Sequence, residues 1–339
     1  MKPIDVLFLS RNDVVALNLT PNLVVAVIEK ALCEHSDGTY EMHAKIGVHP
    51  TGTDPANFIH AMPAYLHRQG ACGLKWVAGF NHNHALDLPN VTGVQICNDT
   101  ATGIPLAIMD CSHLTGLRTA AVSAIIARRC AVPGAEVLAL VGCGFQGSMH
   151  LRFLTALLPG IRMVRLRDIR EGAMAALKKQ AGEYFAGEIV ACHNHEAAIR
   201  DADIISTCTN GEEQIIVPAW FKEGAFGVGI EGGCAYTAEA LHLADKFIVD
   251  DIPTARYFDE IGRKRLTADG QPDPEFPGGL PEIYATIGDI VSGKKPGRES
   301  ERERIIAIPI GVAICDVALA HLIYHTAIEK KIGQRLNLM

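Results

Sequence analysis

The chain has 339 residues, of which 48% are hydrophobic and 20% are charged, a composition typical of a globular protein with room for two domains. Its 38 acidic and 31 basic residues give a formal net charge of −7, and it contains no long run of basic residues. Nucleic acid and anionic membrane surfaces are therefore not expected as partners.

The cysteines and the N-terminus bear on the compartment. Ten cysteines are scattered through apolar or mixed segments, and no two form a CxxC pair. This pattern predicts buried, reduced thiols rather than disulfides. The first residues, "MKPIDVLFLSRND", reach charge after four apolar residues and lack a small-residue cleavage site, which is not typical of a signal peptide. Apolar runs elsewhere are too short to span a membrane, so we expect a soluble cytoplasmic protein.

The N-terminal part predicts a helix followed by a sheet. Residues 21–35 carry apolar positions at helical spacing, with Pro21 in the first turn. From 41 to 112, short apolar runs are separated by Gly, Pro or Asn, which predicts an antiparallel sheet.

A second helix is predicted over 112–131, capped by Ser112 or Thr115 and followed by a Pro-Gly pair. We place the end of the first domain there, so that this domain spans 1–131.

The remainder alternates strands and helices from 135 to about 250, which predicts a right-handed, doubly wound parallel sheet. We assign 132–311 to this Rossmann-type domain. Residues 267–304 are rich in Pro, Gly and charge and predict a surface loop. The apolar segment 311–333 predicts a long helix that returns to the first domain or lies at a dimer interface.

A glycine-rich loop, GxGxxG at 142–147, lies between a predicted strand and a predicted helix, the context of a dinucleotide-binding turn. Its glycines let backbone N–H groups and the helix N-terminus approach a pyrophosphate. Asp168 follows Gly147 by 21 residues (168 − 147), where an acid binds the adenosine ribose hydroxyls and repels a 2′-phosphate. NAD is therefore favoured, although Arg167 and Arg170 flank the aspartate and leave NADP possible.

Three cations lie within apolar runs of the first domain: Lys45, Lys75 and Arg118. Lys75 stands between Leu74 and Trp76, so we expect it to be desolvated, with a lowered pKa suited to acid–base work or to binding a carboxylate. Arg118 opens a helix of small residues and can face an anion together with that helix. As a set, the three cations predict a carboxylate pocket.

The blocks "KIGVHP", "FIHAMPAY", "GLKWVAGFNHN", "LTGLRTAAVSA", "VGCGFQG", "GKKPGR" and "GVAICDVALA" together resemble the ornithine cyclodeaminase/mu-crystallin family over nearly the whole chain. The resemblance implies an α/β protein with a central Rossmann domain. It also implies an α+β substrate-binding and dimerisation domain, built from the N-terminal part and joined by the C-terminal segment 312–339. A homodimer is expected.

The resemblance also implies roles for residues. Lys45, Lys75 and Arg118 match the groups that hold the substrate carboxylate. Glu231, in "GVGIEGGC", matches the general acid/base position, where the family usually has Asp. The expected cofactor-binding residues combine the loop glycines and Arg170 with the positions that match the family's motifs. They are Asn90, Arg118, Gly142, Gly144, Phe145, Gln146, Gly147, Asp168, Arg170 and Thr209.

Two departures from the family weigh against ornithine as substrate. His60 stands before "MP", where cyclodeaminases carry a Glu for the terminal amine, and a Ser near the C-terminal "GxAxxD" is missing. His60 and His82 are candidates for contacts with a polar or acidic substrate side chain. The histidines of "NHNH" (81–84) and "HNH" (193–195) lack a third ligand, so no metal is expected.

These observations predict an NAD(H)-dependent imine reductase or amino-acid dehydrogenase that transfers a hydride at Cα of a small α-amino or α-imino acid, with Lys75 or Glu231 moving the proton. A cyclodeaminase of the ornithine/lysine type, which releases ammonia with catalytic NAD, is the alternative. A third possibility is a binding role like that of the crystallin relatives, against which the buried lysine and the carboxylate argue.

Overall fold

A computed structural model describes residues 3–50, 57–211, 213–231, 235–258 and 280–339. The strands are β1 (Asp5–Leu9), β2 (Tyr40–Met42), β3 (Ile46–Val48), β4 (Phe58–Leu66), β5 (Ala71–Gly79), β6 (Val91–Asn98), β7 (Pro105–Asp110), β8 (Val137–Val141), β9 (Met163–Arg167), β10 (Glu188–Ala191), β11 (Ile204–Thr207), β12 (Phe226–Gly229), β13 (Lys246–Val249), β14 (Ile283–Thr286), β15 (Ile305–Ile308) and β16 (Gln334–Asn337). The helices are α1 (Arg11–Ala16), α2 (Pro21–Asp37), α3 (Cys111–Cys130), α4 (Phe145–Leu157), α5 (Glu171–Ala181), α6 (His195–Ile199), α7 (Ala238–His242), α8 (Ile252–Phe258), α9 (Ile287–Val291) and α10 (Ala313–Lys330).

The chain divides into two compact units. Unit 1 comprises Met1–Arg118 and Val312–Met339, and unit 2 comprises Thr119–Gly311. The division therefore falls inside α3, whereas the sequence placed it at residue 131, after the helix. Because α3 continues without a break across the division, no Gly or Pro signal marks the point in the sequence.

Unit 1 is built on a sheet in the order β16-β1-β7-β6-β5-β4-β2, with β3 paired to β4. The strands from β4 to β7 are antiparallel neighbours, which confirms the sheet predicted for 41–112. The C-terminal strand β16 pairs antiparallel with β1 and was not predicted. Helix α10 contacts α2 and crosses β4, β5 and β6, so one face of the sheet is covered within the unit.

Strand alternation places different chemistry on the two faces of β5. Lys75 and Val77 are buried, whereas Trp76 is 43% exposed on the opposite face. The lysine therefore lies in the layer between the sheet and its helices, where every polar group needs a partner.

The helix ends follow local chemistry. Helix α2 begins after Thr20, whose hydroxyl accepts from Leu23 N, and ends at Gly38 in the left-handed conformation, which confirms the predicted helix. The cap predicted for α3 was wrong. The helix starts at Cys111, and the carboxylate of Asp110 accepts from His113 N at 3.0 Å. The aspartate at the end of β7 satisfies an N–H of the first turn, so neither predicted hydroxyl is the cap.

Unit 2 contains a parallel sheet in the order β10-β9-β8-β11-β12-β15-β13-β14. The strand order reverses beside β8, as in doubly wound dinucleotide-binding folds, and this confirms the Rossmann architecture. In such sheets ligands bind outside the carboxyl ends of the strands at the reversal, here β8 and its neighbour β11, beside which β12 follows. Large buried side chains such as Phe221, Tyr236 and Phe247 form much of the core against this sheet.

The loop predicted over 267–304 was wrong for residues 283–291, which form β14, paired with β13, and α9. Residues 292–304 connect α9 to β15 without a helix or strand, as predicted. Arg298 holds this connection against neighbouring backbone. Its guanidinium donates to the backbone oxygens of Cys130, Ser300, Glu303 and Gly224. Residues 259–279 lie outside the described residues.

The nine cysteines among the described residues are free thiols, as the sequence predicted. Within the same residues, every helix is too short or too polar to cross a membrane.

Candidate functional site

Three buried charges meet in unit 1. Lys75 Nζ lies 2.7 Å from Asp316 Oδ2, and Arg118 Nε donates to Asp316 Oδ1 at 3.0 Å. Lys75 and Asp316 are 1% and 0% exposed, and Arg118 is 7% exposed. Two cations share one carboxylate, so this cluster carries a net positive charge in a region that excludes water.

Each member of the cluster comes from a different element. Lys75 lies on β5, Arg118 on α3 and Asp316 in the first turn of α10, where the helix dipole also favours a negative charge. Burial lowers the pKa of Lys75, in part offset by Asp316. Burial alone would raise the pKa of Asp316, but Arg118 and Lys75 outweigh it and hold that pKa below its ordinary value. The carboxylate is therefore charged at neutral pH.

The neighbouring histidine is neutral. His60 is 8% exposed and stacks on Phe58, with ring centroids 4.3 Å apart, and the edge of His49 approaches it at 5.9 Å. Burial, with smaller effects from Lys45, His49 and Lys75, lowers the pKa of His60 to about 4. At neutral pH the ring therefore offers hydrogen bonds and no positive charge to a ligand.

Gln95 is a further polar residue beside Lys75, on the face of the unit 1 sheet that α10 covers. It pairs across strands with Lys75, which in turn pairs with Met62. The side chain is fully buried, its Nε2 donates to Ile96 O at 3.1 Å, and its Oε1 has no hydrogen-bond partner among the described residues. An unpaired buried acceptor costs about 1–3 kcal/mol, so a ligand N–H beside Lys75 would stabilise it.

The 81–90 segment forms a turn held by its own side chains. His84 N donates to Asn90 Oδ1 at 3.1 Å, and Asn83 Nδ2 donates to Pro89 O at 2.9 Å. Asn90, predicted to contact the cofactor, thus has a structural contact of its own. In the described part of the chain no group of three or more His, Cys, Asp or Glu side chains is arranged to hold a metal ion.

In unit 2 the glycine loop connects β8 to α4, as predicted. Gly142 has φ +94°, a conformation suited to glycine, and a Cβ there would overlap the carbonyl oxygen of Cys208. A Cβ on Gly147 would overlap the Gly142 carbonyl. At Gly144 the space is open, and no side chain caps the first N–H groups of α4. An anion fits this cradle, because the N–H groups and the helix dipole both favour one.

Asp168 braces the same loop. Its Oδ2 accepts from Cys143 N at 2.7 Å, and its Oδ1 accepts from Arg170 N at 2.8 Å. Oδ1 also lies 3.5 Å from Arg170 Nε, so a lone pair of Oδ2 is the acceptor that remains for a ribose hydroxyl. Arg167 Nη1 donates to the backbone oxygen of Asp168 at 2.9 Å, and this contact turns its guanidinium toward the backbone.

A second carboxyl, Glu231, lies past the end of β12. Thr207 Oγ1 donates to Glu231 Oε1 at 2.6 Å, while the buried Oε2 has no hydrogen-bond partner among the described residues. Burial raises the pKa of this carboxyl to about 7, although the Thr207 hydrogen bond acts in the opposite direction. The group can hold or release a proton near neutral pH. Thr209 Oγ1, after β11, is also buried without a partner in the described part of unit 2.

A model of the ornithine cyclodeaminase/mu-crystallin family matches residues 5–331. The chain belongs to this family. It is 31% identical over 340 residues to an alanine dehydrogenase of Archaeoglobus fulgidus, with 98% of each chain covered.

Solved structures of this family agree with the fold. An archaeal alanine dehydrogenase dimer with bound NAD has a TM-score of 0.86 and 28% identity, over 99% of this chain and 100% of that one. A Thermococcus litoralis Δ1-pyrroline-2-carboxylate reductase in complex with NADH and L-proline has a TM-score of 0.85 and 24% identity, over 97% and 100% of the two chains. The resemblance and the α/β fold predicted from the sequence are thus confirmed.

The acid that pairs with the two cations, Asp316, was not among the residues predicted from the sequence. Asp316 is the one charged residue in the apolar run 311–320, which was a signal for a buried charge, but the pattern does not show its partner. Gln95 and Thr207 were also missed, because a lone amide and a lone hydroxyl on a strand have no distinctive spacing.

Proposed function

We propose that this family member is an NAD(H)-dependent oxidoreductase of a small α-amino or α-imino acid, acting on its C–N bond as an imine reductase or amino-acid dehydrogenase. The observation that carries the proposal is the buried cluster of Lys75, Arg118 and Asp316. Its charges sum to +1, which the carboxylate of an amino or imino acid would neutralise. Lys45 and His60, on the same part of unit 1, are proposed as further substrate contacts.

NAD is the proposed cofactor, because the loop fits a pyrophosphate and Asp168 retains acceptor capacity for ribose hydroxyls. Bound NAD(H) would supply or accept the hydride at the substrate Cα. The unit 2 residues proposed to hold it are Gly142, Gly144, Phe145, Gln146, Gly147, Asp168, Arg170 and Thr209. Contacts of Asn90 and Arg118 with the cofactor remain predictions from the sequence.

Two groups are candidates for moving the proton. Glu231 titrates at about 7 and can exchange a proton near neutral pH, whereas burial lowers the pKa of Lys75 and Asp316 partly offsets that effect. We assign Glu231 to the substrate nitrogen and Lys75 to the carboxylate, since Lys75 already carries an ion pair that keeps it charged.

The test is consumption of NADH or NADPH, followed by absorbance, with a panel of α-keto acids plus ammonia or methylamine and with preformed cyclic imines. Oxidation of NADH with one of these acids would support the proposal and identify the substrate. Ammonia released from ornithine or lysine at catalytic NAD would replace it by cyclodeamination. Tight binding of NADH with no turnover in either assay would favour a binding role.

We expect Gly147→Ala to weaken NADH binding about 10- to 100-fold, because a Cβ would overlap the Gly142 carbonyl and overpacking costs about 1–3 kcal/mol. Fluorescence titration with NADH measures the effect. Gly172→Ala in α5 is the matched control, since its Cβ would meet no atom within 4 Å. Equal affinities of the two variants would count against the loop as the cofactor site.

A homodimer is also proposed, through the sheet face of unit 1 opposite α10. This open face includes the cross-strand rows Ala61–Trp76–Val94 and Leu74–Ile96–Ile108. Trp76 is 43% exposed, and Ile46 and Val48, on β3, are 60% and 55% exposed. Contiguous apolar surface of this kind is typical of interaction sites, and a second copy presents the same complementary face.

Trp76→Glu is expected to shift the protein from dimer to monomer, because it would bury two charges in a symmetric apolar interface. Sedimentation velocity over a range of concentrations measures this. Leu23→Glu, which alters a 42% exposed apolar residue on α2, should leave the dimer intact. A Trp76→Glu variant that sediments as the wild type would overturn this interface.

A further inference from the structure

The paired ends of two strands place a hydroxyl beside the Glu231 carboxyl. Thr207, the last residue of β11, pairs with Gly229 of β12, two residues before Glu231. A Cβ on Gly229 would lie 2.8 Å from both Thr207 Oγ1 and Glu231 Oε1. Glycine at this position therefore leaves the space in which the 2.6 Å hydrogen bond forms. The contact therefore joins the last residue of β11 to the second residue after β12.

The two oxygens of this carboxyl differ. Oε1 accepts from Thr207, whereas Oε2 is buried and has no hydrogen-bond partner among the described residues. A buried carboxyl oxygen without a partner is stabilised when a ligand group donates to it or accepts its proton. Within the described residues the carboxyl is therefore oriented by the Thr207 hydrogen bond to Oε1, backbone N–H groups of Ile230, Glu231 and Ala235 also favour its charged form, and Oε2 is the oxygen without a partner.

The titratable side chains described around Glu231 are uncharged at neutral pH. Among the described residues they are the Cys208 thiol, on the β11 side, and the phenol of Tyr236, which returns beside the same strand ends. Burial raises the pKa of each well above its ordinary value, so both keep their protons. The Thr207 hydrogen bond is thus the contact from a neighbouring side chain that favours the charged form of Glu231.

We propose that Thr207 is the positioning residue of Glu231: its hydroxyl holds Oε1 and leaves Oε2 as the oxygen that exchanges a proton with the substrate nitrogen. This inference rests on the proposed function, in which Glu231 is the acid/base. In the reductive direction Cα would gain the hydride that bound NADH would supply, which leaves the cofactor oxidised as NAD⁺, and the π electrons of C=N would move to nitrogen. Nitrogen forms an N–H bond with the proton from Oε2, whose O–H bond breaks. Glu231 is left as a carboxylate that Thr207 stabilises until solvent returns a proton.

Removing the hydroxyl should raise the pKa of Glu231 above its value of about 7, because a donor to the charged form is lost. For Thr207→Val, which keeps the side-chain shape, we expect a rise of about 0.5–1 pH unit. Thr207→Ser retains the donor and should restore the wild-type value. Ser206→Ala is the matched control, since it deletes a buried hydroxyl one residue earlier on β11 whose contact, at 3.8 Å, is Cys208 Sγ and not Glu231.

The test measures the pKa directly and through the rate. Carboxyl ¹³C NMR of glutamate-labelled full-length protein, with Glu231→Gln to assign the signal, gives the pKa without substrate. The pH profile of kcat for imine reduction gives it during turnover. We expect both to move upward in Thr207→Val and to return in Thr207→Ser.

The outcomes separate the two proposals. An NMR pKa unchanged in Thr207→Val, or shifted equally in Ser206→Ala, overturns the positioning role and leaves the proposed function standing. A shifted NMR pKa with an unmoved rate profile supports the Thr207 contact but overturns Glu231 as the proton donor, and with it the assignment of Oε2.

Discussion

Replacing Asp316 with asparagine will lower the free energy of unfolding by about 3–5 kcal/mol, the range found when one partner of a buried ion pair is removed. Asp316 is fully buried, and its oxygens lie 2.7 Å from Lys75 Nζ and 3.0 Å from Arg118 Nε. The amide is uncharged, so two buried cations lose the anion that neutralises them. Urea unfolding followed by circular dichroism measures the loss.

Asp37→Asn is the control, because Asp37 also pairs with an arginine, at 2.6 Å from Arg68 Nη1, but on the surface. Exposed pairs contribute under about 1 kcal/mol. Similar losses of unfolding free energy in the two variants would show that the buried cluster stabilises the fold no more than an exposed ion pair does.

The difference in the free energy of unfolding between wild type and Asp316→Asn should also decrease as the pH is lowered. The folded-state pKa of Asp316 is lowered, so its stabilisation is present above the unfolded value of about 3.9 and is lost as the pH falls below it.

Glu231→Gln is expected to reduce kcat for imine reduction about 10²- to 10⁴-fold, the usual contribution of a general acid or base. Glutamine keeps the shape of the side chain and can accept from Thr207, but it has no proton to give at neutral pH. The fold should persist, because the substitution removes a carboxyl that burial disfavours in its charged form. Steady-state kinetics with saturating NADH and the best imine measures the effect.

The pH dependence supplies a second readout. Glu231 has a pKa of about 7 and donates when protonated, so wild-type reduction should slow as the pH rises through about 7, while the reverse oxidation should accelerate there. The rate of Glu231→Gln should no longer change with pH near 7, whereas Glu231→Asp should keep this pH dependence with a lower kcat. Glu239→Gln, on the exposed face of α7, is the control. Unchanged profiles in Glu231→Gln would assign the proton to another group, Lys75 first.

Much of the architecture was predictable because its signals are local. The period of apolar residues identified α2 and the parallel strands of unit 2, and the glycine spacing identified the turn between β8 and α4. Local signals also misled. Serine and threonine in the first turn of α3 suggested caps, but the aspartate that precedes the helix takes that role. Pro, Gly and charge suggested a loop over the whole of 280–304, although residues 283–291 form β14 and α9.

For the site, the kinds of group present can be read from the sequence: a lysine within an apolar strand, an arginine on a helix of small residues, a glycine cradle and a carboxyl after a strand. Which of them meet depends on the three-dimensional fold. Asp316 lies 241 residues beyond Lys75 (316 − 75), yet the folding of α10 over β5 brings their charges to 2.7 Å. Thr207 and Glu231 meet because two parallel strands end side by side. Burial can be inferred from neighbours in the chain, but a buried charge is neutralised by whichever group the fold places against it.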